Sequence, residues 1–259
     1  MDDFHIGLVI AAAAALILVV IFGIWGAFLQ LSIFFRYQKN NKKHIGGKTA
    51  KQVAEEMLKN LGYGDVRVRR ASYFWLIFFS KWGNRYSPRR NSIFLYGNIL
   101  NKDTVTAVAL ATQKVGLVIQ HRNGEKKMKF RARWELWTRM APNLFLPIVT
   151  IGAIIDFFVN GPELTSFGYI TLAFVGIAIV WTLIAFYALY LIIPTERRAG
   201  VLALEAIKKQ NLIPSEHLPA VESMYKTYVK KYIADFVLAL LELILDILYI
   251  ALRATSKKN

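Results

Sequence analysis

Thirty consecutive residues, Ile6 to Phe35, carry no charged side chain. A helix needs ~20 apolar residues to cross the hydrocarbon of a bilayer, so this run is long enough to span one. It follows the acidic start Met1-Asp2-Asp3 and lacks the basic opening, shorter apolar stretch and small-residue cleavage site of a secretory signal peptide. The run therefore reads as a retained anchor. Two further apolar stretches come much later. Leu144 to Val159 holds Asp156 near its end, Phe167 to Ile193 is charge-free, and the connector Asn160 to Ser166 makes the two a helical hairpin. The last apolar run, Tyr232 to Leu252, carries Asp235, Glu242 and Asp246 at spacings of seven and four, which puts three carboxylates on one narrow helical face. That face favours a helix lying on the membrane surface over a fourth span, which would bury the acids.

Charge separates two readings of such a chain. Lys and Arg number 33 against 17 Asp and Glu, a net charge of +16, on a chain that is 55% hydrophobic. Nucleic acid and membrane both suit a basic chain, but they place the charge differently. Of the 33 basic residues, 23 lie in residues 36–141, none in 159–167 and ten after residue 194. The positive-inside rule puts the first and last of these regions in the cytoplasm and the N-terminus and the 160s loop outside. Anionic lipid, at about 1 kcal/mol per juxtamembrane basic residue, accounts for the surplus, and no nucleic-acid partner is expected. With no cysteine in the chain, disulfides, thiolate nucleophiles and Cys-ligated metals are excluded.

The expected fold class is an α-helical integral membrane protein with a small cytoplasmic α+β domain: three transmembrane helices plus a C-terminal apolar helix, at the membrane surface or as a fourth span. The boundaries read as an anchor over 1–36, a cytoplasmic domain over 37–140, a transmembrane hairpin over 141–194, and C-terminal cytoplasmic helices over 195–259 with the apolar helix at 232–252.

Within the cytoplasmic region, Thr49 with Gln52 three residues on forms a capping box, and Val53, Met57, Leu58 and Leu61 keep helical spacing until Gly62. Asp65 to Arg70 and Ser92 to Tyr96 read as strands. Asp103 can cap a second helix, Thr104 to about His121, whose only charge before His121 is Lys114. So apolar a helix should be buried, and a lysine there requires a partner carboxylate or a route to solvent. Arg122 to Arg139 interleaves Lys126, Lys127, Lys129, Arg131 and Arg133 with Trp134 and Trp137, a pattern suited to a lipid-facing basic helix. Seven apolar residues, Tyr73 to Phe79, lie between Arg70 and Lys81. They read as a buried strand or as a patch for a partner or the bilayer, with Tyr73, Phe74, Trp75, Phe78, Phe79 and Trp82 as its anchors. Replacing Phe74, Trp75 and Phe78 with Ser is expected to abolish that binding without unfolding the chain; loss of the fold, read by circular dichroism, would instead identify a core strand.

Motifs for chemistry are sparse. Gly47-Lys48-Thr49 resembles the end of a phosphate-binding loop, but Lys42 stands where the earlier glycine is required, and Thr49 is a helix cap. His5, His44, His121 and His217 are too scattered for any pair to share helical ligand spacing.

The segment Tyr86 to His121 (YSPRRNSIFLYGNILNKDTVTAVALATQKVGLVIQH) resembles the strand, connector and active-site helix of the bacterial membrane-embedded neutral zinc metallopeptidases of the YugP type. Gly47 to Val68 is similar to that family's opening helix and strand, and Arg197-Arg198-Ala199 to its closing element. The resemblance covers roughly residues 45–252 and implies a zincin-like domain in a multi-pass protein of the bacterial plasma membrane. It implies an H-E-x-G-H helix in which two histidines bind zinc and the glutamate activates the metal-bound water, with a third ligand, a glutamate, before the R-R-A element. The corresponding positions here are Gln113, Lys114, Leu117 and Ile192. The resemblance therefore implies a degenerate member: no zinc, no cofactor and no catalytic residue, a pseudoenzyme acting as scaffold or adaptor. Its partners are expected to be membrane lipids, anionic ones included, and a membrane protein or a second copy of itself. Hydrolysis with displaced ligands such as His121, His44 or Asp103 is one alternative, and organisation of anionic lipid through the basic helix is the other.

Overall fold

The computed structural model describes residues 3–71, 84–140, 145–161 and 168–256. The partner patch Tyr73, Phe74, Trp75, Phe78, Phe79 and Trp82 lies outside the described residues. The chain divides into two compact units, residues 1–28, 136–190 and 234–259, and residues 29–135 and 191–233.

In the second unit the locally specified elements form where their sequence signals stand. Helix α1 (Asp3–Asn41) delivers its last residues to it, followed by α2 (Ala50–Asn60). Thr49 accepts from the Gln52 amide at 3.3 Å while the Gln52 side chain accepts from the Thr49 amide at 2.8 Å, closing the capping box. Strand β1 (Arg67–Arg70) pairs in parallel with β3 (Ser92–Leu95), and β2 (Arg85–Ser87) pairs with β3 antiparallel, giving the order β1-β3-β2. A short α3 (Gly97–Leu100) leads to α4 (Val105–Arg122), buried from Val105 to Gln120. Val53, Ala54, Met57 and Leu58 of α2 share one core with Val68, Tyr86, Ile93 and Leu95 of the sheet and with Val108, Ala111, Val115 and Val118 of α4. Thr49→Ala is expected to cost about 1 kcal/mol, since it removes one hydrogen bond of the box, and urea denaturation reads it directly.

One expectation is corrected at the start of α4. Thr104, not Asp103, caps the helix, accepting from the Ala107 amide at 3.4 Å, and Asp103 instead pairs with His44 at 2.6 Å. Helix α5 (Lys126–Met140) follows.

The first unit holds α6 (Phe145–Asn160), the N-terminal part of α7 (Tyr169–Gln210) and the C-terminal part of α8 (Leu218–Ser256). Phe145, Ala178, Phe186 and Leu243 make a small core there. Asp156 is buried and accepts from the Thr171 hydroxyl at 2.7 Å and the Thr171 amide at 3.2 Å.

The expected set of three spans plus a C-terminal apolar helix is corrected. Among the described residues one helix is long and apolar enough to cross a membrane, Leu16–Asn41, with a mean hydropathy of 2.4 and 11% of its window buried. The other apolar helices, Pro147–Val159 and Tyr169–Ile184, fall in the range of 10–17 residues. Residues 232–252 are part of the 39-residue α8, which also carries Lys226, Lys230 and Lys231, and form no separate apolar helix. A mostly helical chain with a three-stranded sheet and one N-terminal apolar helix replaces the multi-pass expectation.

Candidate functional site

The four degenerate positions are each buried, and two of them, Gln113 and Lys114, bond to Glu196. Gln113, Lys114 and Leu117 come from the middle of α4, and Ile192 from the part of α7 that belongs to the same unit. All four are buried, Lys114 at 2% exposure. The helices meet there because Gly116 has no side chain. A Cβ at this position would stand 2.7 Å from the Ala199 carbonyl carbon and 2.9 Å from its Cα, and closer still to the carbonyl oxygen. Only glycine lets the two backbones approach this far.

The carboxylate that Lys114 requires is Glu196. The Lys114 ammonium donates to its two oxygens at 3.1 and 3.3 Å, and the carboxylate is fully buried. A second cation completes the cluster. Arg131 of α5 donates one guanidinium nitrogen to Glu196 at 2.6 Å and another to the Thr195 hydroxyl at 2.8 Å. Thr195 passes its own hydroxyl proton toward the Ile192 carbonyl at 2.8 Å, a hydroxyl bonding back into the helix just after Pro194. Gln120 donates to the Thr195 carbonyl at 2.9 Å, and the Tyr232 ring lies 6.0 Å from the Lys114 ammonium.

Burial pushes Glu196 up, but Lys114 and Arg131 together outweigh it and hold the carboxyl at about 2, below its ordinary 4.5. A depressed folded-state pKa contributes stability that is present above the unfolded value and lost as pH falls toward the folded one. The thermal midpoint is therefore expected to fall between about pH 4.5 and pH 2 more steeply in the wild type than in a Lys114→Met/Arg131→Met/Glu196→Leu variant. Parallel declines would contradict it.

The zinc that the family resemblance implies does not fit these residues. The Gln113 amide is a poor donor, Leu117 and Ile192 offer no lone pair, and the one carboxylate already accepts from two cations. Lys114 and Arg131 both hold a positive charge against this carboxylate, so a divalent cation would have to enter beside two cations. No group of three or more His, Cys, Asp or Glu side chains that could hold a metal occurs among the described residues.

The displaced-ligand candidates lie apart from this cluster. His44 is bound to Asp103 and is exposed, while the His121 Nδ1 meets the Tyr86 hydroxyl at 3.1 Å. Burial, then the charges of Arg122 and Lys129, lower the His121 pKa. Of the basic helix, Lys126, Lys127, Lys129 and Arg133 are exposed and Trp134 half-buried, whereas Arg131 turns inward to Glu196; only the backbone of Trp137 is described. Arg131 is thus removed from the lipid-facing set.

Sequence reasoning did not reach Glu196. The missed signal is that it is the first charge after the uncharged run Phe167 to Ile193 and directly precedes Arg197-Arg198-Ala199.

The profile of the family described as putative neutral zinc metallopeptidase matches residues 12–251. No curated protein and no solved structure matches the chain.

Proposed function

The chain belongs to the neutral zinc metallopeptidase family, and from that premise we propose that it is a non-hydrolytic member serving as scaffold or adaptor subunit of a membrane complex. The observation that supports this reading is the buried Lys114–Glu196–Arg131 cluster, whose lysine occupies one of the four positions that the resemblance assigns to the family chemistry. An ammonium only donates hydrogen bonds and accepts no proton while charged, so Lys114 cannot take the role of a general base. Conversion of a reaction site into a closed ion-pair cluster leaves the rest of the fold intact as a framework for binding. The exposed apolar residues of α1, among them Leu16, Ile17, Phe28 and Phe35, support an anchor in the bacterial cell membrane.

Affinity purification of the full chain from native membranes tests the scaffold role. One stoichiometric partner that survives detergent is expected, and recovery of the monomer alone contradicts it. Casein cleavage that a chelator abolishes would contradict the loss of hydrolysis.

A second reading rests on α5, where Lys126, Lys127, Lys129 and Arg133 are exposed together and support contact with anionic lipid. Liposome binding that ignores anionic lipid content dismisses it.

A further inference from the structure

A groove of about 490 Å³ runs beside β1, lined by Glu55, Leu58 and Lys59 of α2 and by Gly64 and Val66 to Arg69. It lies at the opposite edge of the sheet from β2, so it is not the degenerate site. Three observations define what it takes. First, β1 is an edge strand among the described residues. The Arg67 amide donates to the Asn91 carbonyl and the Ala71 amide to the Leu95 carbonyl, both toward β3, so the two-residue period turns the Val68 N–H and C=O toward the groove. Second, the floor is apolar, with Leu58, Val66 and Val68 buried beneath the opening.

Third, the rim is cationic. Lys59, Arg67 and Arg69 are exposed, and none of them forms an ion pair among the described residues. The nearby acids are engaged elsewhere: Glu55 with Lys51 at 3.7 Å, and Asp65 with Arg122 and Asn91. A second copy of β1 would bring arginines against arginines, which disfavours self-pairing at this edge.

We propose that the groove binds an extended acidic segment of a partner protein, which adds to the sheet beside β1 as a fourth strand. Main-chain hydrogen bonds to Val68 supply the register, alternate apolar side chains settle over Leu58 and Val66, and acidic side chains meet Lys59, Arg67 and Arg69. The proposal deepens the scaffold reading and rests on it only for the partner's being a protein.

The test uses the full chain in detergent and a fluorescein-labelled hexapeptide of alternating Glu and Val, read by fluorescence anisotropy. A Lys/Val counterpart and a version with central proline serve as controls. Binding of the acidic peptide alone is expected, weakened at least ~tenfold by Arg67→Glu/Arg69→Glu and, as a second variant, by Lys59→Glu. Both variants alter exposed side chains, and an unchanged thermal midpoint verifies the fold. No binding of the acidic peptide, equal binding of the Lys/Val peptide, or binding indifferent to both variants overturns the proposal. Failure here alongside a stoichiometric partner in native membranes removes the groove and leaves the scaffold role. Peptide binding with no native partner does the reverse.

Discussion

Replacing Glu196 with Ala is expected to destabilise the fold by about 3–5 kcal/mol, a fall in thermal midpoint on the order of 10 °C. The change strands Lys114, 2% exposed, without the carboxylate that compensates its ammonium, and takes from Arg131 the oxygen to which it donates at 2.6 Å. The magnitude follows from an asymmetry. Breaking a buried ion pair leaves an uncompensated charge, whereas replacing the whole cluster with apolar groups of similar volume removes the need for compensation. Lys114→Met/Arg131→Met/Glu196→Leu should accordingly be near neutral or more stable than the wild type. Chemical denaturation of the single and triple variants separates the two effects, and a triple variant as unstable as Glu196→Ala would refute the account of the cluster.

The second large effect is expected at Gly116. A methyl group there meets the backbone of Ala199, not a flexible side chain, so the α4 and α7 segments must move apart. Gly116→Ala should therefore cost at least the ~1–3 kcal/mol of ordinary overpacking. Gly116→Ala/Ala199→Gly is expected to recover none of this, because the obstructing atoms are the carbonyl and Cα of residue 199. Recovery in the double variant would show that side-chain volume, and not backbone approach, limits the crossing.

These two positions also mark how far the sequence could be read. Thr49 and Gln52 specify the start of α2 through a contact three residues long, and the alternation at Arg67 to Arg70 needs only its own neighbours. The burial of α4 was legible for a similar reason, since a single lysine in an otherwise uncharged helix has few other environments. What that lysine meets was not, because Glu196 lies 82 residues away in sequence and its approach depends on how α7 crosses α4. Arg131 was misread for the opposite reason. Its composition matched the cations around it, and one inward-facing position cannot be told from its neighbours without the packing of α5. The span count was not legible because a charge-free run does not say where the helix that carries it begins and ends. Phe167 to Ile193 carries no charge, yet the helix that contains most of it runs from Tyr169 to Gln210 and on through Glu196, Arg197 and Arg198.

Asp103 shows how a local signal can be overridden. Either Asp103 or Thr104 could cap α4, and the choice falls to Thr104 because His44 takes the aspartate. The cap is thereby tied to the segment that leaves α1, a connection that propensity at residues 103 and 104 does not contain.

We propose that Lys114, at one of the positions the resemblance assigns to the zinc site, excludes the metal by charge together with Arg131, which shares its carboxylate Glu196. Elemental analysis of the full chain, saturated with zinc and then desalted, tests it most directly. Far less than one zinc per chain is expected, and one equivalent of retained zinc would contradict the exclusion of the metal.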